Sequence, residues 1–215
     1  MKNIDKVFEI LEKRFESFRK PTVRRTSQEN DPYKTLVACL LSLRTQDKNT
    51  EKAASSLFKI ADTPKGISKI PLKKLEKLIF SSGYYRNKAK SIKHVTNVLL
   101  KEYNGKVPDT EEELLAIKGI GRKIANVVLS FAFNKLVIPV DVNVHRVSNR
   151  LGWVKTKNPD KTEEELKKII PKKYWREINT LFIQFGKTIC VPISPFCSKC
   201  PIRKHCKRIG ILKSR

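Results

Sequence analysis

Acidic side chains are what this chain is short of. It has 21 Asp and Glu against 46 Lys and Arg in 215 residues, a formal charge of +25, and no carboxylate side chain after Glu177. Long apolar runs are missing too, which excludes a helix that crosses a bilayer and predicts no membrane partner. The N-terminal MKNIDKVFEILEKRF is amphipathic, with acids inside it and no cleavable apolar stretch. No secretion signal is therefore expected, and the protein is expected to be intracellular. Alternating apolar and polar segments, internal repeats and low-complexity tracts are also lacking, which argues against sheets and solenoids. At 40% hydrophobic residues the chain is no disordered basic tail. What remains is a globular, all-α protein long enough for one or two cores, whose charge calls for a polyanion, nucleic acid first.

Helical periodicity fills most of the length. Ile4, Val7, Phe8, Leu11, Phe15 and Phe18 form one apolar stripe, followed by a basic linker from Arg19 to Arg25 that contains Pro21. Asp31-Pro32 reads as a cap and first-turn pair opening a helix through Leu43, apolar on most sides and so central. Asp47 is expected to cap the next helix (Ala53, Ala54, Leu57, Ile60), and Pro71 to open a short one ended by Ser81-Ser82-Gly83. From Arg86 the stripe Ala89, Ile92, Val95, Leu99 runs to Tyr103, where Asn104-Gly105 terminates it. Thr110 with Glu113, and Thr162 with Glu165, read as capping boxes.

The densest information lies in LAIKGIGRKIANVVLSFAFNKLVIPVDVNVHRVSNR, from Leu115 to Arg150. A helix over Glu111 to Ala116 stops at a Gly-x-Gly turn, and a new apolar-periodic segment (Ile124, Val127, Val128, Phe131) follows at once. This is a helix-hairpin-helix. The amides of Gly119, Gly121 and Arg122, at the start of the second helix, can point at an anion such as phosphate. Lys123 sits in the first turn of that helix, where the positive helix end and the cations Lys118 and Arg122 favour the neutral, nucleophilic amine; a nearby carboxylate would act the other way. Asp141 precedes the stripe Val144, Val147, Leu151 and reads as an N-cap, either as a cap alone or as a cap that also presents a carboxylate for chemistry.

Four of the five cysteines are crowded together: Cys190, Cys197, Cys200 and Cys206, with six, two and five residues between them. In an intracellular chain this is a metal site rather than a disulfide framework. Four thiolates suit tetrahedral zinc and an iron-sulfur cluster equally well, and spacing alone leaves both open. Cys39, in an apolar helix, reads as a small core residue.

IKGIGRKIANVVLSFAF, PVDVNVHRVSNRLG, the cysteine spacing, LLSLRTQD (Leu40 to Asp47) and SGYYRNKAKSI (Ser82 to Ile92), in this order, resemble the endonuclease III family of helix-hairpin-helix DNA glycosylases and abasic-site lyases. The resemblance covers nearly the whole chain. It implies a two-lobed all-α fold, with a six-helix barrel domain carrying the hairpin over 25–135 and an iron-sulfur cluster domain made of 1–24 and 136–215, with DNA held between them. It further implies a [4Fe-4S] cluster on Cys190, Cys197, Cys200 and Cys206, Lys123 as nucleophile, Asp141 as its acidic partner, and a monomer acting on double-stranded DNA that contains damaged bases or abasic sites. The expected reaction is removal of oxidised pyrimidines followed by β-elimination, in base excision repair.

Several positions depart from the family pattern. Arg44 stands where the family usually has the glutamine that fills the gap opposite the extruded base, and an arginine could donate to guanine there. Tyr84 stands where an apolar wedge residue is common and is expected to intercalate. Asn143 replaces a histidine and resembles the adenine-mismatch branch, but that branch lacks the lysine and has glutamate where Ala38 stands. Val191 to Phe196 carries no charge where basic residues are usual, so Lys199, Arg203 and Lys204 are expected to take over phosphate contact. His145 reads as structural or phosphate-facing. Two rival functions are a mismatch-directed thymine or uracil glycosylase of the same fold and a non-catalytic DNA-binding module.

Overall fold

The structure, a computed structural model, describes residues 3–18, 20–26 and 31–215. Arg19, the first residue of the expected basic linker, lies outside them. Among the described residues there are twelve α-helices and no strand, as the missing alternation predicts. No helix among them is long and apolar enough to cross a membrane. The chain divides into two compact units, Lys20–Lys135 and a discontinuous one formed by Met1–Arg19 with Leu136–Arg215.

The continuous unit is built round α3 (Pro32–Ser42), flanked by α2 (Thr22–Thr26) and α4 (Asp47–Phe58). Eight of the eleven α3 residues are buried, so no face is left for solvent and the helix becomes the centre of its unit. Asp31 caps it, accepting from the Lys34 amide at 3.0 Å, with Pro32 in the first turn. Asp47 does not cap α4 as expected: it is the helix's first residue, and its Oδ1 accepts from the Thr22 amide at 2.9 Å. That bond, with the Arg25–Glu51 pair at 3.2 Å, attaches α2 to α4. The basic linker thus contains a helical turn, and the continuous unit starts five residues before the expected Arg25 boundary.

The unit continues through α5 (Pro64–Lys69), α6 (Leu72–Leu78), α7 (Tyr85–Glu102), α8 (Glu111–Ala116) and α9 (Arg122–Phe131). Helix α5 is too short to show a period in the sequence; Thr63 caps it, and at its far end the Lys93 ammonium donates to the carbonyls of Ser68 at 2.6 Å and Ile70 at 2.9 Å. Helix α3 packs against α2, α4, α7 and α9. Cys39 lies in that core, and burial pushes its thiol up to about 12, an inert packing residue.

The discontinuous unit holds α1 (Ile4–Phe15), α10 (Val142–Leu151), α11 (Pro159–Ile169) and α12 (Glu177–Thr188), with 3-10 turns at Lys172–Tyr174 and Arg203–His205. Its core joins Ile4, Val7, Phe8, Leu11 and Phe15 of α1 to Ile138, Val144, Val147, Leu166, Ile178, Phe182 and Phe185, whereas Phe18, expected on the same stripe, lies past the helix end and is exposed. Phe8 stacks on Tyr174 with centroids 3.9 Å apart, and the Tyr174 hydroxyl donates to Asp5 at 2.9 Å. The second expected capping box is absent. Asn158 caps α11, with Pro159 after it, whereas Thr162 is buried one turn inside and shares its hydroxyl with His145 Nδ1 at 2.6 Å and Thr156 at 2.5 Å. Glu165 pairs instead with Lys168.

Candidate active site and nucleic-acid interface

The hairpin is sharply defined. Thr110 caps α8, its oxygen accepting from the Glu113 amide at 3.3 Å while its hydroxyl donates to the Glu113 carboxylate at 2.6 Å. The Gly119 backbone lies at φ +101°, a region that only glycine enters without strain. Gly121, at φ −94°, has no such need; a Cβ there, as at Gly119, would meet open space. Gly121 is the N-cap of α9 and brings no side-chain oxygen, so the first-turn amides, which have no partner within a helix, face outward uncapped. Lys118 and Lys123 are exposed beside them. Lys123 is the second residue of α9, and the field of its ammonium reaches the Cys39 thiol beneath. The Arg122 guanidinium turns back onto Glu111 at 3.2 Å, closing the hairpin on itself.

Arg44 and Tyr84 occupy two turns of the same unit, one between α3 and α4 and the other before α7. Both are exposed, and both take the left-handed backbone region, at φ +49° and φ +57°. The turns meet backbone to backbone: a Cβ on Gly83 would lie 3.2 Å from the Arg44 carbonyl oxygen. Between them lies Lys88, only 6% exposed, whose ammonium donates to Leu41 O at 2.6 Å, Thr45 Oγ1 at 2.7 Å and Ser82 Oγ at 2.8 Å. Burial alone brings this amine down to about 8.

In the other unit Asp141 caps α10, as its place before an apolar stripe predicts. Oδ1 accepts from the amides of Asn143 and Val144, both at 2.9 Å, and Oδ2 from the Asn143 carboxamide at 2.8 Å. The carboxylate is thus held at both oxygens and buried. Asn143 Oδ1 in turn receives Arg146 at 2.9 Å, and Arg146 also donates to Gly186 O at 2.9 Å and Cys190 O at 3.2 Å. A chain of hydrogen bonds therefore runs from Asp141 to the first clustered cysteine. Gly186 makes it possible, since a Cβ there would sit 2.8 Å from Asn143 Oδ1.

All four clustered cysteines line one cavity, walled by Val147, Leu151, Phe185 and Ile202 among others. Arg150 spans its rim, donating to Val191 O at 2.7 Å, Pro192 O at 2.6 Å and, at 3.5 Å, the Cys190 sulfur. Burial, with the other three thiols adding to it, pushes Cys200 up to about 11. Among the described residues, no three His, Cys, Asp or Glu side chains converge on a point as a single ion would require. Lys199, Arg203 and Lys204 are exposed on the cysteine loop.

Residues 37–172, well over half of the chain and including the hairpin and Asp141, match the family described as HhH-GPD superfamily base excision DNA repair protein. The chain belongs to that superfamily. This HhH-GPD protein is 46% identical over 183 residues to Endonuclease III of Thermotoga maritima, which covers 85% of this chain and 86% of that one. Its fold is similar to that of a trapped endonuclease III–DNA covalent intermediate in an estranged-adenine complex (TM-score 0.82, 35% identity, 97% of each chain). It is also similar to a thermostable thymine-DNA glycosylase (TM-score 0.83, 27% identity, 94% of this chain and 95% of that one).

Within the HhH-GPD frame, the structure brings Gly119, Gly121, Arg122 and Lys123 together on the hairpin, and Arg44 and Tyr84 together on abutting turns. Lys88, Arg146 and Arg150 join these sites without being singled out by any motif in the sequence. Asn143 departs from the family pattern, yet its spacing from Asp141 is that of a residue in a capping turn. His145 Nδ1 is hydrogen-bonded to the Thr162 hydroxyl at 2.6 Å, and burial lowers its pKa.

Proposed function

We propose that this chain is a bifunctional DNA N-glycosylase with abasic-site lyase activity, removing oxidised pyrimidines from double-stranded DNA inside the cell. The observation that carries the reading is the exposed Lys123 amine on the uncapped first turn of the hairpin helix. A relative with the same fold is known as a covalent intermediate with DNA, and a trapped covalent link needs a nucleophile in this position of the chemistry. The target nucleotide leaves the stack, because the sugar C1′ is shielded in the duplex. Lys123, as the free amine, attacks C1′; the C1′–N bond to the base breaks and its electron pair leaves with the base, which takes up a proton. The alkylated amine loses a proton, and its lone pair opens the sugar ring: the C1′–O4′ bond breaks, its electron pair goes to O4′, which takes up a proton, and C1′ and nitrogen form the protonated Schiff base; removal of a C2′ proton then expels the 3′ phosphate by β-elimination. Asp141, fixed at both oxygens, supplies a carboxylate that offsets positive charge on the sugar and assists proton transfer. The hairpin amides hold a backbone phosphate, a positioning contact that reads no sequence. Lys199, Arg203 and Lys204 add phosphate contacts, Arg44 fills the gap left opposite the extruded base, and Tyr84 is the wedge.

Cys190, Cys197, Cys200 and Cys206 are assigned to a [4Fe-4S] cluster in this reading. The donor set fits: four free thiols line one apolar cavity, the ligand number and type that such a cluster takes. Such a cluster would supply a covalent brace for the loop bearing Lys199, Arg203 and Lys204. The Arg150 contact with Cys190 adds the kind of N–H donor that tunes a ligating sulfur.

Borohydride trapping on duplexes with thymine glycol, G·T, G·U or an abasic site tests the proposal, with wild type beside Lys123→Gln. Adducts with thymine glycol and the abasic site, absent in the variant, are the expected result. Base release from a mismatch without an adduct would move the assignment to a mismatch thymine or uracil glycosylase, and neither release nor adduct anywhere would leave a DNA-binding module.

A further inference from the structure

Lys88 has no place in the chemistry above, yet it is the most unusual lysine in the chain. In a protein with 46 Lys and Arg, it is one that is almost wholly buried. A buried ammonium is costly unless its donors are matched, and here its three N–H groups meet three acceptors between 2.6 and 2.8 Å. All three acceptors are neutral, so no carboxylate repays the burial; the depressed amine shows that the cost is borne. Stability alone would be served better by an apolar side chain in the same space. The acceptors come from three separate places: the end of α3, the turn that carries Arg44, and the turn that carries Tyr84. Ser82 Oγ donates onward to Leu41 O at 2.9 Å, and Thr45 Oγ1 accepts the Gly83 amide at 3.1 Å, so the contacts form a closed mesh. Both residues that the mesh flanks are strained, Arg44 at φ +49° and Tyr84 at φ +57°, since a left-handed non-glycine residue persists only where its surroundings enforce it.

We propose that Lys88 is a positioning residue that locks the Arg44 and Tyr84 turns into one frame, so that gap filling and wedging of damaged duplex occur as a single rigid event. The proposal rests on the glycosylase reading given above. Removing the ammonium lets each turn relax toward ordinary backbone, and the two side chains then meet the duplex independently. Lesion discrimination suffers, because it depends on both being in place when the base is tested. Chemistry on a substrate with nothing to extrude and no opposite base does not suffer, because Lys123 lies on another element.

The test compares wild type, Lys88→Met, Thr45→Val and Ser82→Ala in two assays. One is the ratio of affinities for a thymine glycol duplex and the undamaged duplex; the other is borohydride trapping on a single-stranded abasic oligonucleotide. Lys88→Met is expected to lower the ratio roughly tenfold or more, as loss of hydrogen bonds to a charged group implies, with trapping unchanged. Thr45→Val and Ser82→Ala are expected to lower it in the same direction by less. In a double-mutant cycle, Arg44→Ala and Tyr84→Ala are expected to be coupled in wild type and additive in the Lys88→Met background. A folded Lys88→Met with undiminished discrimination, or one losing both assays in proportion, overturns the proposal. Should Lys88→Met not fold, Thr45→Val and Ser82→Ala decide by the same two assays. A wild type that traps no abasic site fails the glycosylase reading itself and this proposal with it, whereas trapping with unaltered discrimination in the variants sinks the proposal alone.

Discussion

Asn143 donates its carboxamide to Asp141 Oδ2 at 2.8 Å, so the residue that replaces a family histidine is the one that fixes the carboxylate assigned to the sugar. The same side chain accepts from Arg146, making it the link between that carboxylate and the cysteine loop. Asn143→Leu is expected to leave the buried Asp141 Oδ2 without its donor and Arg146 one acceptor short, at a cost of about 1–3 kcal/mol in urea unfolding. Single-turnover base release should slow in the folded fraction, and unchanged release would separate Asn143 from the chemistry. Gly186→Ala should reproduce the stability loss at similar size by crowding the same pair, although alanine is the better helix former.

The two hairpin glycines should behave differently. Gly119→Ala forces a side chain into φ +101° and is expected to cost about 1–2 kcal/mol of stability. Gly121→Ala meets no neighbour and should leave stability within about 0.5 kcal/mol of wild type. A phosphate approaching the backbone at Gly121 would nevertheless meet the added methyl group, so affinity for undamaged duplex is expected to fall. Wild-type affinity in Gly121→Ala would show that no phosphate comes to those amides.

Lys88 gives a signed pH dependence. Its amine is near 8 in the fold and 10.5 in an ordinary environment, and burial is the whole cause. Between those values the unfolded chain holds a proton that the folded one has released, so ν_U exceeds ν_N and stability rises with pH. Below pH 8 both states are protonated and the burial cost is felt in full. The difference in unfolding free energy between wild type and Lys88→Met should therefore shift in favour of wild type from pH 8 to 10.5. A flat difference would mean that the ammonium is not buried in solution.

DNA binding should be steeply salt-dependent, given the +25 charge. Log affinity should fall against log salt with a slope of about −0.9 for each phosphate neutralised. Lys204→Ala and Lys199→Ala should each make the slope shallower by about one contact. A slope near zero would exclude a phosphate-tracking interface.

Features carried by short-range pattern were legible in the sequence. The hairpin, the Asp31 and Asp141 caps and the core position of Cys39 each depend on residues within a turn or two of each other. Thr162 misled because a capping box and an interior threonine look alike until one knows that His145 and Thr156 converge on its hydroxyl. Helix α5 is too short for a period to emerge. Lys88 was hidden by number rather than by chemistry, since most lysines of so basic a chain are solvated. A signal was nonetheless present: Lys88, Ile92, Val95 and Leu99 share one helical stripe, and a lysine on an apolar stripe must find acceptors. Arg146 and Arg150 could not be read at all, because their partners, the carbonyls of Gly186 and of Cys190 to Pro192, lie about forty residues away and carry no mark of their own in sequence.

The first helix of the chain finds its partners only near the end. Phe8 stacks on Tyr174 and Asp5 receives the Tyr174 hydroxyl, a separation of 169 residues, with all of Lys20–Lys135 emerging in between. During synthesis, α1 must therefore wait with an open apolar stripe while the whole hairpin-bearing unit is made and can fold. Nascent chains halted before Tyr174 should be cut by protease within α1 while the continuous unit resists, and the reverse pattern would contradict this order. Helix α1, made before the whole continuous unit, is thus buried only after it.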